Sequence, residues 1–503
     1  MNNRLNFKLK TIEINNYKGV DHGILDVVEF RNNNFNTSGI TAIFGENASG
    51  KSSICECLKI LKNSFPNNKN SIWNNEDECI DIALKIRDDS VPCFFSYTFD
   101  VFDEKKLVNT LTYKIEIQKT LHPLVHEIPI KYLYNHDEDD DSYRIDTIEN
   151  INYTYIASLY KETFIASGIF DGVSIKQQEI LSYNHKSKEL SPIRKHKIYM
   201  RNVKDKKDFL FALSYGNRVG GTSILMDDKF QILQQGCGDS DYINLINEFR
   251  MFILNSLYVL DEIPHTSFDP TKISECCSFS LEEEKMKLYR YGYLPGYIYF
   301  SCENYYKEFI DNVEKINKLL PLFIPNISIS TETLNDEYVT EVYDDGYRKS
   351  KIQVKISSNR NGNAFPIQYE SEGTKKIINL IEYYVEAYKN SSALLVVDEF
   401  DFALHEYLLQ ILLQVFNNGG KGQLLFTSHN LRPLEVLDKQ SIVFTTTDSK
   451  DRFCRFNNIR NKNNLRDCYY DEITYTNNVK RKKQEHDFFN KININDIEKI
   501  LNS

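Results

Sequence analysis

Short apolar runs near both ends of the chain have the pattern of buried strands, and stretches of helical periodicity accompany them. Residues 40–44 form such a run and precede residues 53–62, where apolar positions recur at helical spacing. Residues 393–397 and 423–427 form two more runs of the kind that central parallel strands show. Residues 371–381 begin a further amphipathic helix. The pattern predicts an α/β fold whose main sheet uses both ends of the chain.

A second group of strands is predicted between these ends. The alternation of apolar and polar residues predicts strands at 80–86, 93–102, 111–118 and 126–134. Turn-forming residues separate these segments, so we expect them to form an antiparallel β subdomain attached to the main sheet.

Between residues 151 and 320 the pattern becomes mainly helical. Apolar residues recur at helical spacing in 209–213, 243–259 and 305–322. No heptad pattern is sustained in this region, so a long coiled coil is not predicted. We expect a large, mainly helical insertion that serves in oligomer contacts, partner docking or ligand sensing.

Composition limits the class of protein. The chain has 503 residues, of which 41% are hydrophobic, and this is enough for two or three folded domains. The net charge of −10 disfavours a surface devoted to nucleic-acid phosphates and leaves open only weak nucleic-acid contact through a local basic patch. The ten cysteines lack metal-like spacing. No stretch approaches the roughly 20 apolar residues of a membrane span, so we predict a cytoplasmic protein without membrane contact.

A glycine-rich turn follows the first apolar run. Its spacing is glycine, four residues, then Gly-Lys-Ser, which lets backbone N–H groups surround phosphates at the start of a helix. Lys51 is expected to reach the outer phosphates, and Ser52 to bind Mg²⁺. The candidate nucleotide contacts are Gly45, Glu46, Asn47, Ala48, Ser49, Gly50, Lys51, Ser52 and Ser53. The turn predicts ATP and Mg²⁺ as ligands.

Two acids and a histidine follow the two C-terminal apolar runs. Asp398 is expected to bind Mg²⁺, and Glu399 to orient or activate the attacking water, as a positioned carboxylate does in phosphoryl transfer. His429 follows the next run and is expected to donate a hydrogen bond to the γ-phosphate. The predicted catalytic group consists of Lys51, Glu399 and His429.

Ser371 and Gly373 begin the amphipathic helix near residue 371. Serine and glycine at a helix start leave backbone donors and the positive end of the helix dipole accessible. Such an end suits a γ-phosphate that a second subunit presents. An ordinary helix cap remains the alternative interpretation of these two residues.

In this order, the four segments resemble the motifs of a known family. The glycine-rich turn, the Ser-Glu-Gly-Thr-Lys segment at 371–375, the Asp-Glu-Phe-Asp-Phe-Ala-Leu-His segment at 398–405 and Thr-Ser-His-Asn at 427–430 are similar to those of OLD-type ABC ATPases. These soluble relatives of the RecF and SMC proteins are common in bacterial anti-phage systems such as PARIS and Septu. The resemblance is to members without the Toprim domain. His405 stands where ABC proteins more often have aspartate. Tyr17 and Lys18 follow a segment that resembles the first strand of this family, where a contact with the base is expected, and an exposed turn is the alternative interpretation of these two residues.

The resemblance implies an ABC-type P-loop ATPase fold with four parts. They are residues 1–150, the N-terminal half with the Walker A turn and the β subdomain; residues 151–325, the helical insertion; residues 326–460, the C-terminal half with the signature, Walker B and histidine switch; and residues 461–503, a basic tail.

The resemblance also implies a homo-oligomer, at least a dimer, in which Ser371 and Gly373 face the ATP of the partner. The segment after His429 is shorter than the roughly 100 residues of a Toprim nuclease domain. The effector, a nuclease or a toxin, is therefore expected to be a separate protein. This ATPase would be the sensor and scaffold subunit that controls it.

Other functions stay open. A DNA-repair ATPase like RecF would bind DNA directly through a basic face. A transporter cassette would dock membrane helices, a role that the long insertion and His405 disfavour. Arg481 and His486 match the pattern of HEPN ribonucleases, but too few residues follow them to build the helical bundle that such a site needs.

Overall fold

The structure, a computed structural model, describes the chain in separate ranges. These are residues 5–27, 39–65, 72–129, 147–170, 172–187, 189–191, 222–226, 241–260, 297–300, 303–334 and 352–446, together with residues 448, 450, 452–455 and 465–466. The predicted helical segment at 209–213, the last five residues of the strand predicted at 126–134, and the pair Arg481 and His486 lie outside the described residues.

The described residues form strands and helices in the following order. The strands are β1 (Leu5–Tyr17), β2 (Val20–Asp26), β3 (Gly39–Phe44), β4 (Cys93–Asp103), β5 (Lys106–Pro129), β6 (Thr147–Phe170), β7 (Val173–Asn184), β8 (Glu189–Ser191), β9 (Leu257–Leu260), β10 (Tyr297–Phe300), β11 (Ile327–Leu334), β12 (Ile352–Arg360), β13 (Asn363–Pro366), β14 (Leu394–Val397), β15 (Gln423–Thr427), β16 (Ile442–Thr445) and β17 (Phe453–Cys454). The helices are α1 (Lys51–Asn63), α2 (Glu76–Lys85), α3 (Asp241–Ser256), α4 (Glu303–Phe323), α5 (Glu372–Lys389), α6 (Glu406–Gly419) and α7 (Pro433–Val436).

The central sheet joins the two ends of the chain. Its strand order is β17-β16-β3-β15-β14-β9, and all neighbouring pairs are parallel except β16 with β17. Every residue of β3, β14 and β15 is buried, as expected for parallel strands that are covered on both faces. The carboxyl ends of these strands therefore lie along one edge of the sheet.

The two faces of the central sheet contact different cores. Because successive side chains of a strand point to opposite faces, Leu394 and Val396 join a core with α1, α3 and the antiparallel sheet. Leu395 and Val397 join a second core with α4, α5 and α6. The segments that end at the common edge are thus held from both sides.

Two antiparallel sheets accompany the central one. The larger has the order β2-β1-β4-β5-β6-β7-β8, and the smaller has β10-β12-β11 with β13 paired to β12. Phe249 of α3 packs on the larger sheet, with ring centroids 5.6 Å from Phe7 and 5.4 Å from Phe99. Helix α3 therefore lies between this sheet and the central sheet.

The strand predicted at residues 80–86 is wrong, because residues 76–85 form α2. The side chain of Asn75 caps this helix by accepting from the backbone N–H groups of Asp77 (3.1 Å) and Glu78 (3.5 Å). The first turn carries three acids and the last turn carries Lys85, which complements the helix dipole at both ends. The capping contacts and the placement of the charges favour a helix more strongly than the short apolar alternation favours a strand.

The region predicted to be mainly helical begins instead with strands. Strand β5 is one long strand up to Pro129, and it pairs with β6 from Asn109 opposite Gly168 to Pro129 opposite Thr147. Strands β6, β7 and β8 therefore occupy most of residues 147–191. Farther along, α3 and α4 are helical as expected, although β9 follows α3 directly. The periodicity of the sequence did not predict β6, because pairing with β5 stabilises this strand and its own pattern of apolar residues does not mark it.

The architecture as a whole is mixed α/β, which confirms the predicted fold class. A parallel sheet built from both ends of the chain carries an antiparallel β subdomain. Among the described residues, none of the helices combines the length and the apolar character needed to cross a membrane. The division of the chain into four parts stays a prediction.

Candidate nucleotide-binding site

The glycine-rich turn connects the buried strand β3 to α1 through a partly left-handed backbone. Positive φ angles occur at Gly45 (155°), Ala48 (60°) and Gly50 (96°). A Cβ atom on Gly45 would lie 1.7 Å from Thr445 Oγ1, and one on Gly50 would lie 2.9 Å from Val20 Cγ2. Glycine is therefore required at both positions, and the turn has the backbone form of a phosphate-binding loop.

Lys51 is the first residue of α1, and its side chain folds back over the turn. Its Nζ atom donates to the carbonyl oxygens of Gly45 (2.9 Å) and Glu46 (2.7 Å). Burial lowers the pKa of Lys51, while the carboxylates of Asp398 and Glu399 act on this pKa in the opposite direction. The amine thus lies over the turn, within the electrostatic influence of the two acids, and phosphate oxygens can replace the carbonyl oxygens as its acceptors.

The three serines of the turn have different surroundings. Ser49 Oγ donates to the Glu46 carbonyl oxygen (2.6 Å) and contacts Thr445 Oγ1 at 2.5 Å. Ser52 is half-buried, whereas Asn47 and Ala48 are exposed.

Ser53 is buried, and its hydroxyl has no hydrogen-bond partner within the described part of the chain. A buried hydroxyl without a partner is costly, so a polar ligand at this helix start would supply what is missing. Together with the phosphate-loop backbone of the turn, this hydroxyl fits a bound nucleotide.

Asp398 and Glu399 follow β14 at the edge of the sheet, and Thr427 holds both. The hydroxyl of Thr427 donates to Asp398 Oδ1 and accepts from the backbone N–H of Glu399 (2.8 Å). The backbone N–H of Asp398 donates to the Leu260 carbonyl oxygen on β9 (2.9 Å). Glu399 has a φ of 46° and an exposed side chain. A carboxylate set of this kind suits Mg²⁺, which prefers oxygen ligands.

The loop that contains His429 is fixed by an acid to which the sequence analysis assigned no role. The carboxylate of Asp401 accepts from the backbone N–H groups of His429 (3.1 and 3.2 Å) and Asn430 (2.9 Å). The backbone N–H of Ser428 donates to the Ile43 carbonyl oxygen on β3 (3.1 Å). The loop backbone is therefore held between β3 and the acids, and the imidazole of His429 is exposed.

The start of α5 touches the loop that follows the acids. Ser371 is the N-cap of α5, and its exposed side chain accepts from the backbone N–H of Thr374 (3.3 Å). A Cβ atom on Gly373 would lie 2.3 Å from the Ala403 carbonyl oxygen. Ser371 is thus a helix cap, which agrees with the alternative interpretation of this residue. The same helix start also lies directly against the loop at Ala403.

An ion pair braces the segment before Ser371. Arg360 donates to Glu370 from Nε (3.1 Å) and from Nη2 (2.7 Å), and Ser358 Oγ donates to the same carboxylate (2.6 Å). Burial alone would raise the pKa of Glu370, but these hydrogen bonds outweigh it, so the pKa is lowered. Glu370 therefore stays ionised and ties β12 to the start of α5.

Three further candidates have structural roles. Tyr17 is buried and its hydroxyl donates to Glu56 (3.1 Å), while Lys18 Nζ binds the other oxygen of this carboxylate (2.5 Å). The Tyr17 ring therefore has no exposed face to offer a base. His405 is the N-cap of α6, and its Nδ1 accepts from the backbone N–H of Tyr407 (3.2 Å).

The structure brings Lys51, the two acids and the His429 loop to the same edge, together with residues that the sequence analysis missed. Thr427 and Asp401 lie inside the recognised motifs, so a search for hydrogen-bonding side chains there would have found them. Thr445 contacts the turn from a distant part of the chain, and no local signal marks it. The edge has the parts of a P-loop nucleotide-binding protein.

Comparison with known proteins agrees with this class. A family model described as AAA ATPase domain matches residues 7–432, and because this is more than half of the chain, the chain belongs to that family. No curated protein sequence matches the chain.

Several solved structures are similar to this chain. A crystal structure of the SMC head bound to the C-terminal winged-helix domain of ScpA is 11% identical, covers 89% of this chain and 97% of that one, and has a TM-score of 0.37. The SMC head domain from Thermotoga maritima is 11% identical, with coverages of 90% and 100% and a TM-score of 0.31. The recombination mediator protein RecF is 13% identical, with coverages of 88% and 97% and a TM-score of 0.32.

Proposed function

We propose that this chain binds and hydrolyses ATP with Mg²⁺ and that two copies share each ATP across a common face. The observation that carries the proposal is that β15 pairs in parallel with both β3 and β14, so that the turn with Lys51 and the acids Asp398 and Glu399 follow strands that flank β15 at one edge of the sheet. Phosphoryl transfer spreads negative charge over the phosphoryl oxygens, so it needs a cation and a metal-binding carboxylate at one place. The edge of the central sheet supplies both.

Each residue of this edge has a role in the proposed reaction. The backbone of the turn and Lys51 would bind the phosphates, and Ser52 and Asp398 would hold Mg²⁺, which supplies charge neutralisation when bound. Glu399 would orient and deprotonate the attacking water, since its carboxylate is exposed and its backbone is fixed by Thr427. His429 would donate a hydrogen bond to the γ-phosphate.

Exposed apolar side chains support the shared face. Tyr369 (74% exposed), Phe402 (40%) and Tyr407 (65%) belong to the segments that meet where Gly373 touches Ala403. Large apolar side chains that share one exposed region mark interaction surfaces. We call Tyr369, Ser371, Phe402 and Tyr407 the signature face. In the proposed dimer this face covers the glycine-rich turn of the second copy, so that ATP contacts both chains.

The biological role that we propose is that of sensor and scaffold in an anti-phage defence system. It is supported by the similarity of the four motifs to those of OLD-type ATPases. ATP would close the dimer, and the closed assembly would hold or release a separate nuclease or toxin. The protein would act in the cytoplasm.

The decisive experiment compares the wild type with Lys51→Ala and Glu399→Gln. Phosphate release, binding of a fluorescent ATP analogue and mass by light scattering are measured with Mg²⁺. The wild type is expected to release phosphate, and Lys51→Ala to bind no nucleotide. Glu399→Gln is expected to bind ATP, turn over at least roughly 100-fold more slowly and accumulate as a dimer. Wild-type turnover in Glu399→Gln would remove the proposed base, and a monomeric Glu399→Gln with ATP would remove the shared face.

A second measurement separates defence from DNA repair. Tight, ATP-dependent binding of DNA by the purified chain without any partner would favour the repair ATPase. Metal-dependent cleavage of DNA or tRNA by the purified chain would contradict a separate effector. Protection of bacteria from phage that needs both this chain and an adjacent effector would support the defence role.

A further inference from the structure

A buried lysine on α5 contacts the loop that follows the acids. Lys376 is 3% exposed, and its Nζ donates to the carbonyl oxygens of Glu399 (2.5 Å) and Phe402 (3.0 Å). The same atom lies 5.7 Å from the centroid of the Phe402 ring. Lys376 is one helical turn beyond Gly373. One side chain of α5 therefore holds both ends of the segment 399–402.

The loop that Lys376 holds has a strained backbone. Glu399 has a φ of 46° and Ala403 a φ of 57°, values that residues other than glycine rarely adopt. Such conformations persist where surrounding contacts impose them. Thr427 binds the backbone N–H of Glu399 on one side, and Lys376 binds its carbonyl oxygen on the other. The direction of the Glu399 carboxylate thus depends on these two contacts.

The charge of Lys376 also suits this place. Burial lowers its pKa to about 8, and the carboxylates of Asp401, Glu399 and Asp398 act to raise it. The positive charge of Lys376 therefore offsets part of the mutual repulsion of these carboxylates. A neutral apolar side chain of similar length, such as methionine, would leave both carbonyl oxygens without this donor and the three acids without this positive charge.

In the proposed dimer, each chain contributes Glu399 to one ATP site and Ser371 with Gly373 to the other. We propose that Lys376 is a positioning residue that links these two contributions within one chain. Contact between the signature face and the ATP of the partner shifts the start of α5, and Lys376 carries this shift to the backbone of Glu399. The two ATP sites of a dimer are thereby coupled. The inference rests on the proposed function.

The test compares ATP hydrolysis by the wild type, Lys376→Met, Lys376→Gln and the control Lys389→Met, an exposed lysine in the last turn of the same helix. The kcat, the KM, the Hill coefficient and the Kd of a fluorescent ATP analogue are measured, with thermal unfolding as the check of folding. Lys376→Met is expected to lower kcat roughly 10- to 100-fold, because small displacements of a catalytic group have effects of this size. The Kd of Lys376→Met is expected to stay within about twofold of the wild-type Kd. Its Hill coefficient is expected to fall to about 1, the value of two uncoupled sites, from a higher value in the wild type.

Each outcome has one meaning. A folded Lys376→Met or Lys376→Gln with the kcat and Hill coefficient of the wild type overturns the inference. Failure of both variants to fold also overturns it, because Lys376 is then a residue of the core rather than a positioning residue. If the wild type itself releases no phosphate, the proposed function fails. If the wild type is active, Glu399→Gln is inactive and Lys376→Met is unaffected, only the coupling fails.

Discussion

Gly373 and Ala403 touch through their backbones, since a Cβ atom on Gly373 would lie 2.3 Å from the Ala403 carbonyl oxygen. Gly373 lies within α5, so its own backbone conformation does not require glycine. The close approach requires it. This contact brings the start of α5 against the segment that carries Phe402 and Glu399, and it makes the signature face sensitive to a single methyl group.

Gly373→Ala is expected to lower the free energy of unfolding by about 1–3 kcal/mol, because the added methyl group forces one backbone segment away from the other. Alanine by itself favours a helix, so a loss of stability isolates the clash. Denaturant unfolding measures the change, and Lys389→Ala on the exposed side of the same helix is the control. Equal or higher stability of Gly373→Ala would show that the contact has room to relax.

Asp401→Asn is expected to weaken the hold on the His429 loop. The Asp401 carboxylate accepts two backbone N–H groups with its two oxygens, and an asparagine side chain has one acceptor oxygen. We expect kcat to fall roughly tenfold, in the range of about 1–2 kcal/mol that one lost hydrogen bond costs. His429→Ala should have a similar effect, and the double variant should add little. Additive losses in kcat would contradict an action of Asp401 through His429.

Tyr407→Asp is expected to prevent ATP-dependent dimerisation without affecting the fold. Tyr407 is 65% exposed on the signature face, and a charge there would be buried without a partner in the dimer. Light scattering of Glu399→Gln with and without Tyr407→Asp, in Mg²⁺ and ATP, measures the effect. Tyr153→Asp is the matched control, since Tyr153 is 67% exposed and lies on β6, outside the signature face. Dimers of the Tyr407→Asp protein would exclude this face.

Lys62→Met is expected to change the pH dependence of stability. Lys62 Nζ donates to the carbonyl oxygens of Ile253 and Leu254, both at 2.7 Å, and burial lowers its pKa to about 7 from 10.5. Between these two values the unfolded chain binds a proton that the folded chain does not, so this group makes the protein more stable as pH rises from about 7 to 10.5. Below pH 7 its contribution is constant and unfavourable.

Unfolding of Lys62→Met and the wild type between pH 7 and 10 measures this contribution as a difference. The wild type is expected to gain stability relative to the variant across the range. A difference that does not vary with pH would mean that Lys62 is charged in the folded protein. Lys59→Met, at an exposed position of the same helix, is the control.

The glycine-rich turn, the acids after β14 and the helix start at Ser371 are recognisable in the sequence because each is a contiguous segment with local chemistry. Lys376 shows the limit of such recognition: it is one of two adjacent lysines on a helix, and only packing distinguishes it as the one that reaches Glu399. Strand β6 shows the same limit for the fold, since its order comes from β5. Helix α2 was not predicted because its capping contacts, and not its apolar pattern, determine that this segment is helical.

By itself, the sequence determined the α/β class and the buried strands, and it predicted the residues that we propose for phosphate and metal binding, because hydrophobic periodicity and short motifs act over a few neighbouring positions. Only the tertiary structure decided which of these residues share an edge, that Tyr17 is buried, and that Thr427, Asp401 and Lys376 hold the acids and the histidine loop. These are contacts between segments distant in sequence, and they exist only after the parallel strands have aligned their carboxyl ends.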